Sequence, residues 1–450
     1  LNLSYFISKK ITRGQKEGFA SSVQTIAMFT IGIGLAASIV SFLIMKGFQE
    51  TVKNKIFSFS GHLVLTPQSG NNSPEEPAMN YGIDIYKNTL DYPFIHHIQE
   101  YAHKAGLVNR DDEVVGLIIK GVGTSFDQKA FSENVIEGNF LQFPDSGYSN
   151  EVVISKTIGN ILKIEVGDEF IVHFFQTPPR FRKLKVAGIY ETNLSEYYDS
   201  KIILADIRLI QRLNNWPDSI AGGLEVMIKP DAFQRSELLR EHIEYEMSPD
   251  DFGDQNFFQK SKSFIRALWS FDYETAVLDK AAQEIGMIND YEQQIQLIEE
   301  RYLQVFEWLN LISRQVNILL IVIVVVICVN MISIVLILVL ERTQMIGMLK
   351  ALGAKDSLIQ SIFIHNGVHL ILKGLLLGNA LGIGLCYLQY QFRIIKLNPK
   401  DYYMAFVPIS WHWDVIILLN LLTLIVVTAV LLVPTMVITR VDPIKAIRFD

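Results

Sequence analysis

From Gln315 to Leu340 the chain has no charged side chain and contains the run ILLIVIVVVICVNMISIVLILVL. About 20 apolar residues suffice for a helix to cross roughly 30 Å of hydrocarbon, so this feature excludes a purely water-soluble fold. Two other runs are equally clean, Val23 to Met45 and Val415 to Ile438, the latter preceded by Trp411 and Trp413, where aromatic rings favour the membrane interface. A further run, Ile362 to Phe392, holds His365, His369 and Lys373, so its first turns are expected near the headgroups with Lys373 snorkelling outward. The Val23 run is too long for a cleaved signal peptide and has no small-residue cleavage site before Lys46. Composition agrees, with 50% hydrophobic and 19% charged residues, against about 25% charged in soluble domains. The net charge of −7 comes without the basic stripe that a nucleic-acid partner demands. Cys328 and Cys386 both lie inside apolar runs, which leaves no thiol to staple the polar part.

The expected fold is a membrane protein with four transmembrane helices, arranged 1+3, and a large extracytoplasmic α+β domain inserted between the first and second. The spans are predicted at 23–46, 315–340, 362–392 and 413–438, with the outer domain at 47–314. Lys9, Lys10, Arg13, Lys16, Arg342, Lys350, Lys355, Arg440, Lys445 and Arg448 would share one side of the membrane. Arg393, Lys396 and Lys400 would lie on the other, in the loop 393–412. That bias puts both termini in the cytoplasm, with an amphipathic segment at 1–22, a connecting segment at 341–361 and a tail at 439–450.

Within the outer domain, His62 to Pro67 and Glu113 to Val122 read as strands. A Gly, Asn, Ser and Pro-rich loop follows the first of these, from Gln68 to Pro77. Phe94 to Gly106 reads as a helix ended by glycine. EVVISKTIGNILKIEVGDEFIVHFF reads as strand, helix, turn and strand, and KLKVAGIYETN with SKIILADIRLIQRLN repeats that alternation. From Phe257 to Arg314 the strand signal stops, and Ile295, Ile298, Tyr302, Val305 and Leu309 at helical spacing predict a helical stalk leading into the second span. His96, Glu100 and His103 would share a helix face there, but no fourth ligand accompanies them, so no metal site is expected.

Three motifs carry a resemblance. LIMKGFQETVKNKIFSFSGHLVL (Leu43 to Leu65), ERTQMIGMLKALGAKDSLIQSIF (Glu341 to Phe363) and the closing VDPIKAIRFD stand in this order around the outer domain. The chain thereby resembles the FtsX-type permeases of ABC transporters, with MacB-like outer domains, and among them the lipoprotein-releasing LolC/LolE subfamily. The stretch from Pro230 to Gln304 is not covered by the resemblance.

The resemblance implies an inner-membrane transport subunit that does mechanical work and catalyses nothing itself. No Gly-x-x-x-x-Gly-Lys-Ser/Thr loop is present to cradle phosphates, so no cofactor is expected in this chain. ATP and Mg would be bound by a partner, a cytoplasmic ABC ATPase dimer. Its docking face would be Glu341, Arg342, Met345, Ile346, Gly347, Met348, Leu349, Lys350 and Ala351, with Gly353 ending the helix. A second permease subunit, lipoprotein cargo and a periplasmic carrier complete the implied partners. Thr177, Pro178, Pro179, Arg180 and Phe181 match the place of a carrier-binding hook, although a Pro-Pro pair is also a plain hairpin tip. Phe42, Met45, Phe48, Ile318, Val322 and Val325 are the expected lining of an acyl-chain cavity, named from position. Gly374, Gly378 and Gly382, four residues apart, are expected to let another helix approach closely, within this chain in preference to a partner. Asn330, Asn379 and Asn420, one per span, suggest interhelical hydrogen bonds. Efflux by a MacB-like machine, and signalling without transport by an FtsX-like permease, are the alternatives.

Overall fold

A computed structural model describes residues 19–68, 73, 75–110, 113–194, 198–247, 257–289 and 293–435. The basic residues Lys9 to Lys16, part of the loop after Pro67, and the tail with its VDPIKAIRFD motif lie outside the described residues. The chain divides into two compact units. One comprises Leu1–Thr51, Glu307–Asn398 and Ala405–Asp450, the other Val52–Phe306 and Pro399–Met404.

Among the described residues, four helices are long and apolar enough to cross a membrane: Phe19–Ser60, Leu303–Glu341, Asp356–Phe392 and Trp413–Val430. The first and second are much longer than their charge-free runs, Val23 to Met45 and Gln315 to Leu340, since a helix once formed propagates through the polar turns beside it. In the helical unit the buried core joins Ile31, Leu35 and Ile39 of the first helix to Met331 and Val335 of the second, Ile371 of the third and Val427 of the fourth.

The other unit is built on a mixed sheet. Its strands are β1 (Leu63–Pro67), β3 (Ile95–Arg110), β4 (Glu113–Val122), β5 (Val135–Gly138), β6 (Glu151–Ser155), β7 (Glu169–Phe174), β8 (Arg180–Tyr190), β9 (Ile202–Asp206), β11 (Gly223–Ile228) and β12 (Gln293–Leu297). A small pair, β2 (Met79–Asn80) with β10 (Ile220–Ala221), stands apart. The order is β12-β1-β11-β3-β4-β9-β6-β8-β5, with β7 bonded to β3 and β8. β4 runs parallel to β9, and β6 to β8. Helices Lys156–Leu162 and Ile207–Asn214 begin where Ser155 and Asp206 accept hydrogen bonds from the Ile158 and Arg208 amides. Their apolar faces close one core with Val152, Ile154, Leu184 and Ile203. A second core forms around β1 and β11 under helix Tyr273–Ile288.

Two expectations are corrected. Phe94 to Gly106 is not a helix; Ile95–Arg110 is the long strand β3, paired with β11 on one side and with β4 on the other. Its Gln, Glu, Ala and Lys residues favour helix locally, but ladder bonds on both edges outweigh that preference. In a strand Glu100 and His103 point to opposite faces, and His96 stands at a register shift of the ladder with β11, so the helical spacing that would have gathered the three is lost. The stalk expected over 257–314 is also not one helix. Helices Phe257–Ser270 and Tyr273–Ile288 are followed by β12, which pairs antiparallel with β1, and by Ile298–Arg301 before the second long helix starts at Leu303. Ile295 and Leu297 fit a period of two as well as Ile295 and Ile298 fit a helix, and the open edge of β1 decides between them.

Candidate functional sites

In the helical unit four consecutive residues, Gly47 to Glu50, each make a close contact with a distant part of the chain. Gly47 lies so close to the segment before the fourth helix that a Cβ there would sit 2.8 Å from the Pro408 carbonyl oxygen. Phe48 meets Trp308 edge to face at 5.3 Å between ring centroids. Gln49 Nε2 donates to Ser313 Oγ at 2.6 Å, and Glu50 accepts from Ser410 Oγ and pairs with His412 Nε2 at 2.6 Å. The exit of the first helix is thus fastened to the second helix and to the segment leading into the fourth. The motif Leu43 to Leu65 contains all four residues, but sequence reasoning gave a role only to Phe48 and did not name Glu50 or His412.

Phe42 is half-buried, and Met45 and Phe48 are buried in the unit. Ile318, Val322 and Val325 are 62%, 51% and 54% exposed.

Gly374, Gly378 and Gly382 face the first helix. A Cβ on each would lie 2.7 Å from Ile31 Cβ, 2.8 Å from the Gly32 carbonyl oxygen and 3.1 Å from Ala36 Cα, respectively. Hydrogen at those positions lets the backbones approach. Asn379 and Asn420 exchange hydrogen bonds at 2.7 and 3.0 Å between the third and fourth helices.

The segment after the second helix forms its own helix, Thr343–Ala351. Ile346 and Gly347 point inward, Met345 and Leu349 pack partly against the core, and Glu341, Met348 and Ala351 are exposed. Leu352 is 85% exposed. Lys350 Nζ pairs with Asp356 at 3.0 Å across the turn. The Nε of Arg342 is buried without a hydrogen-bond partner among the described residues. Gly353 has φ +86°, a conformation that costs an L-residue about 1–2 kcal/mol. The turn into the third helix therefore favours glycine.

In the sheet unit, Thr177, Pro178 and Pro179 form the exposed tip of the β7–β8 hairpin, with a cis peptide at Pro178. Arg180 is not free. Its Nη1 donates to the Arg212 and Leu213 carbonyls at 2.9 Å and its Nη2 to Asn215 Oδ1, satisfying the last turn of helix Ile207–Asn214. Phe181 and Phe175 are the exposed aromatics beside it.

The same unit buries a polar network that the sequence reading missed. Lys120 Nζ donates to Glu225 Oε1 at 2.6 Å and to the Phe59 carbonyl, while Gln99 Nε2 donates to Glu225 Oε2. Burial pulls the Lys120 ammonium below its ordinary pKa, against the opposing pull of Glu225. Arg301 Nη1 donates to Tyr101 Oη at 3.0 Å and its Nη2 to Glu76 Oε1 at 2.9 Å, and Glu76 also pairs with His103. Burial would raise the Glu76 carboxyl, but His103 and Arg301 outweigh it and hold the group at about 2. The two sets meet where the Lys120 ammonium lies over the Tyr101 ring, 5.6 Å from its centroid, so that they run from Phe59, in the last turn of the first long helix, to Arg301, two residues before the second. A lysine inside the apolar strand EVVGLIIKGV and a glutamate inside GGLEVMI were the signals.

Comparison with known proteins finds two family domains. Residues 25–244 match the MacB-like periplasmic core domain, and residues 317–443 match the FtsX-like permease C-terminal domain. The chain is 23% identical over 444 residues, 93% of each chain, to the lipoprotein-releasing system transmembrane protein LolE of Haemophilus influenzae. It is 18% identical over 469 residues to LolC of Xylella fastidiosa, covering 100% of this chain and 99% of that one. To LolC of Neisseria meningitidis it is 19% identical over 469 residues, covering 100% and 98%. Among solved structures, the periplasmic region of MacB from Actinobacillus actinomycetemcomitans covers 58% of this chain and 98% of its own, with TM-score 0.30 and 11% identity. A MacB-like core domain followed by an FtsX-like permease domain, together with relatives matched over nearly their whole length, makes this chain an FtsX-type permease of the ABC transporters.

Proposed function

We propose that this permease extracts lipid-anchored proteins from the outer leaflet of the inner membrane and passes them to a soluble periplasmic carrier. The observation that carries the reading is the end-to-end similarity to proteins named as parts of lipoprotein-releasing systems. In this reading the termini are cytoplasmic and the sheet unit periplasmic. A separate ATPase dimer binds ATP and Mg and docks on the helix Thr343–Ala351 and the turn after it, where Met348 and Leu352 offer apolar surface. A second permease subunit, identical or paralogous, completes the path. The outward face of the second helix at Ile318, Val322 and Val325 then lines the acyl-chain route with that partner. The tip Thr177 to Pro179, with Phe181, meets the carrier, while Arg180 braces it from behind. Force is needed because each buried methylene of a lipid anchor contributes about 0.8 kcal/mol. Depleting the chain in cells and fractionating the membranes tests the reading. Lipoproteins should accumulate in the inner membrane; correct sorting with drug sensitivity would turn the assignment to efflux, and correct sorting with cell chaining to division control.

A further inference from the structure

The third long helix, Asp356–Phe392, carries two basic side chains to which no other part of the described chain responds. His369 and Lys373, one turn apart, are exposed, and neither forms a hydrogen bond or an ion pair among the described residues. The acid of this helix, Asp356, stands at its far end and pairs with Lys350. Leu370, Ile371, Gly374 and Gly378 turn inward, so the basic pair shares the outward face with Leu376, 73% exposed, and Ala380. At 3.6 residues per turn His369, Lys373, Leu376 and Ala380 fall within about 60° of arc. Charge and apolar surface thus lie on one face, the basic pair directly above the apolar one.

The height of that pair in the bilayer follows from the helical unit alone. From Gly374 to Phe392 the helix has no charged residue, and this stretch rises about 28 Å, close to the roughly 30 Å of hydrocarbon. At its other end Tyr390 meets Trp411 at 6.2 Å between ring centroids, and Trp411 stacks on Trp413 at 5.8 Å. Such aromatic clusters favour the membrane interface. The helix from Tyr390 back to Lys373 rises about 26 Å, which brings Lys373 to the opposite boundary, where lipid phosphates begin.

We infer that His369 and Lys373 form a binding site for the phosphate of an anionic phospholipid, whose acyl chain runs along Leu376 and Ala380. A lysine at the edge of the hydrocarbon extends its ammonium toward the headgroups, and no carboxylate among the described residues competes for it there. A zwitterionic lipid brings its own cation beside the phosphate, so charge complementarity selects the anionic class. In the orientation proposed above the site faces the cytoplasmic leaflet, but it exists in either orientation. A lipid held there pins the third helix at its height in the bilayer.

The test uses the full chain with p-benzoylphenylalanine at Leu376, in bilayer discs of phosphatidylglycerol mixed with phosphatidylcholine, and identifies the photocrosslinked lipid by mass spectrometry. Phosphatidylglycerol should be enriched about fivefold over its share of the disc, the effect of one lysine near an anionic surface. The same group at Leu421, 51% exposed in the apolar middle of the fourth helix, should return the bulk ratio. His369→Gln with Lys373→Gln should abolish the enrichment at Leu376, and Lys373→Arg should keep it. A bulk ratio at Leu376 with both basic side chains intact overturns the inference. So does crosslinking to protein in place of lipid, which would assign the face to a second copy, another subunit or another part of this chain. The contrast between Leu376 and Leu421 is read with both basic side chains intact, so a folding failure of the neutralised variant leaves it standing. Lipoprotein sorting does not enter the readout, so its failure and that of the site are told apart.

Discussion

In the sheet unit Lys120 and Glu225 are almost wholly buried, bonded to each other, to Gln99 and to the Phe59 carbonyl. In the helical unit the side chains that pair between the third and fourth helices are the neutral amides Asn379 and Asn420, and the closest packing is made by glycines against the first helix. Its ion pairs Lys350–Asp356 and Glu50–His412 stand beyond the charge-free stretches of the long helices. The difference reflects the reference state. Chain leaving water must give each buried charge a complete set of partners, while helices already in hydrocarbon gain little from charge and associate through close contact. The sheet unit thus concentrates its stability in a few polar positions, and the helical unit spreads it over a seam.

The sharpest way to break this contrast is Glu225→Ala, which strands a buried ammonium and should cost about 3–5 kcal/mol, read as a large drop in the thermal midpoint of the purified chain. Lys120→Met with Glu225→Leu should restore most of it; failure to do so would mean the network does more than satisfy itself. Next is acid. Burial, aided by His96, lowers His62 from 6.5 to about 4, and Glu76 is held at about 2 against 4.5. Each binds its proton more weakly folded than unfolded, so stability falls with pH: from 6.5 down to about 4 through His62, then from 4.5 down to about 2 through Glu76. The loss should be on the order of 3 kcal/mol for each group, followed by unfolding of the sheet unit across that range. Gly378→Leu forces a side chain against the Gly32 carbonyl and Leu35 and should cost about 1–3 kcal/mol, seen as separation of the first and third helices by cysteine crosslinking. The smallest effect is expected for Asn379→Ala, about 0.6 kcal/mol; a loss several times larger would show that the helical unit, too, relies on buried polarity.

Much of this was legible in the sequence because it is local. The four apolar helices, the strand-helix blocks from Glu151 to Phe174 and from Arg180 to Asn214, and the glycine turn at Gly353 follow from periodicity, caps and a positive φ. The sites were less so. Arg180 looked like a free binding cation beside two prolines, and Leu213 and Asn215, which hold it, are more than 30 residues away. Phe42, Met45 and Phe48 were grouped with Ile318, Val322 and Val325 from position alone; Met45 and Phe48 are buried and Phe42 half-buried, whereas the other three are exposed.

What the sequence determined unaided is where the chain is apolar for long enough to be helix in a membrane, and where short alternating blocks build a sheet. The tertiary structure decided whether Ile95–Arg110 and Gln293–Leu297 are strands, which partners receive Gly47 to Glu50, and that Lys120 is buried among allies. These outcomes depend on pairings across tens to hundreds of residues, where an open strand edge or a stranded charge weighs more than any local preference.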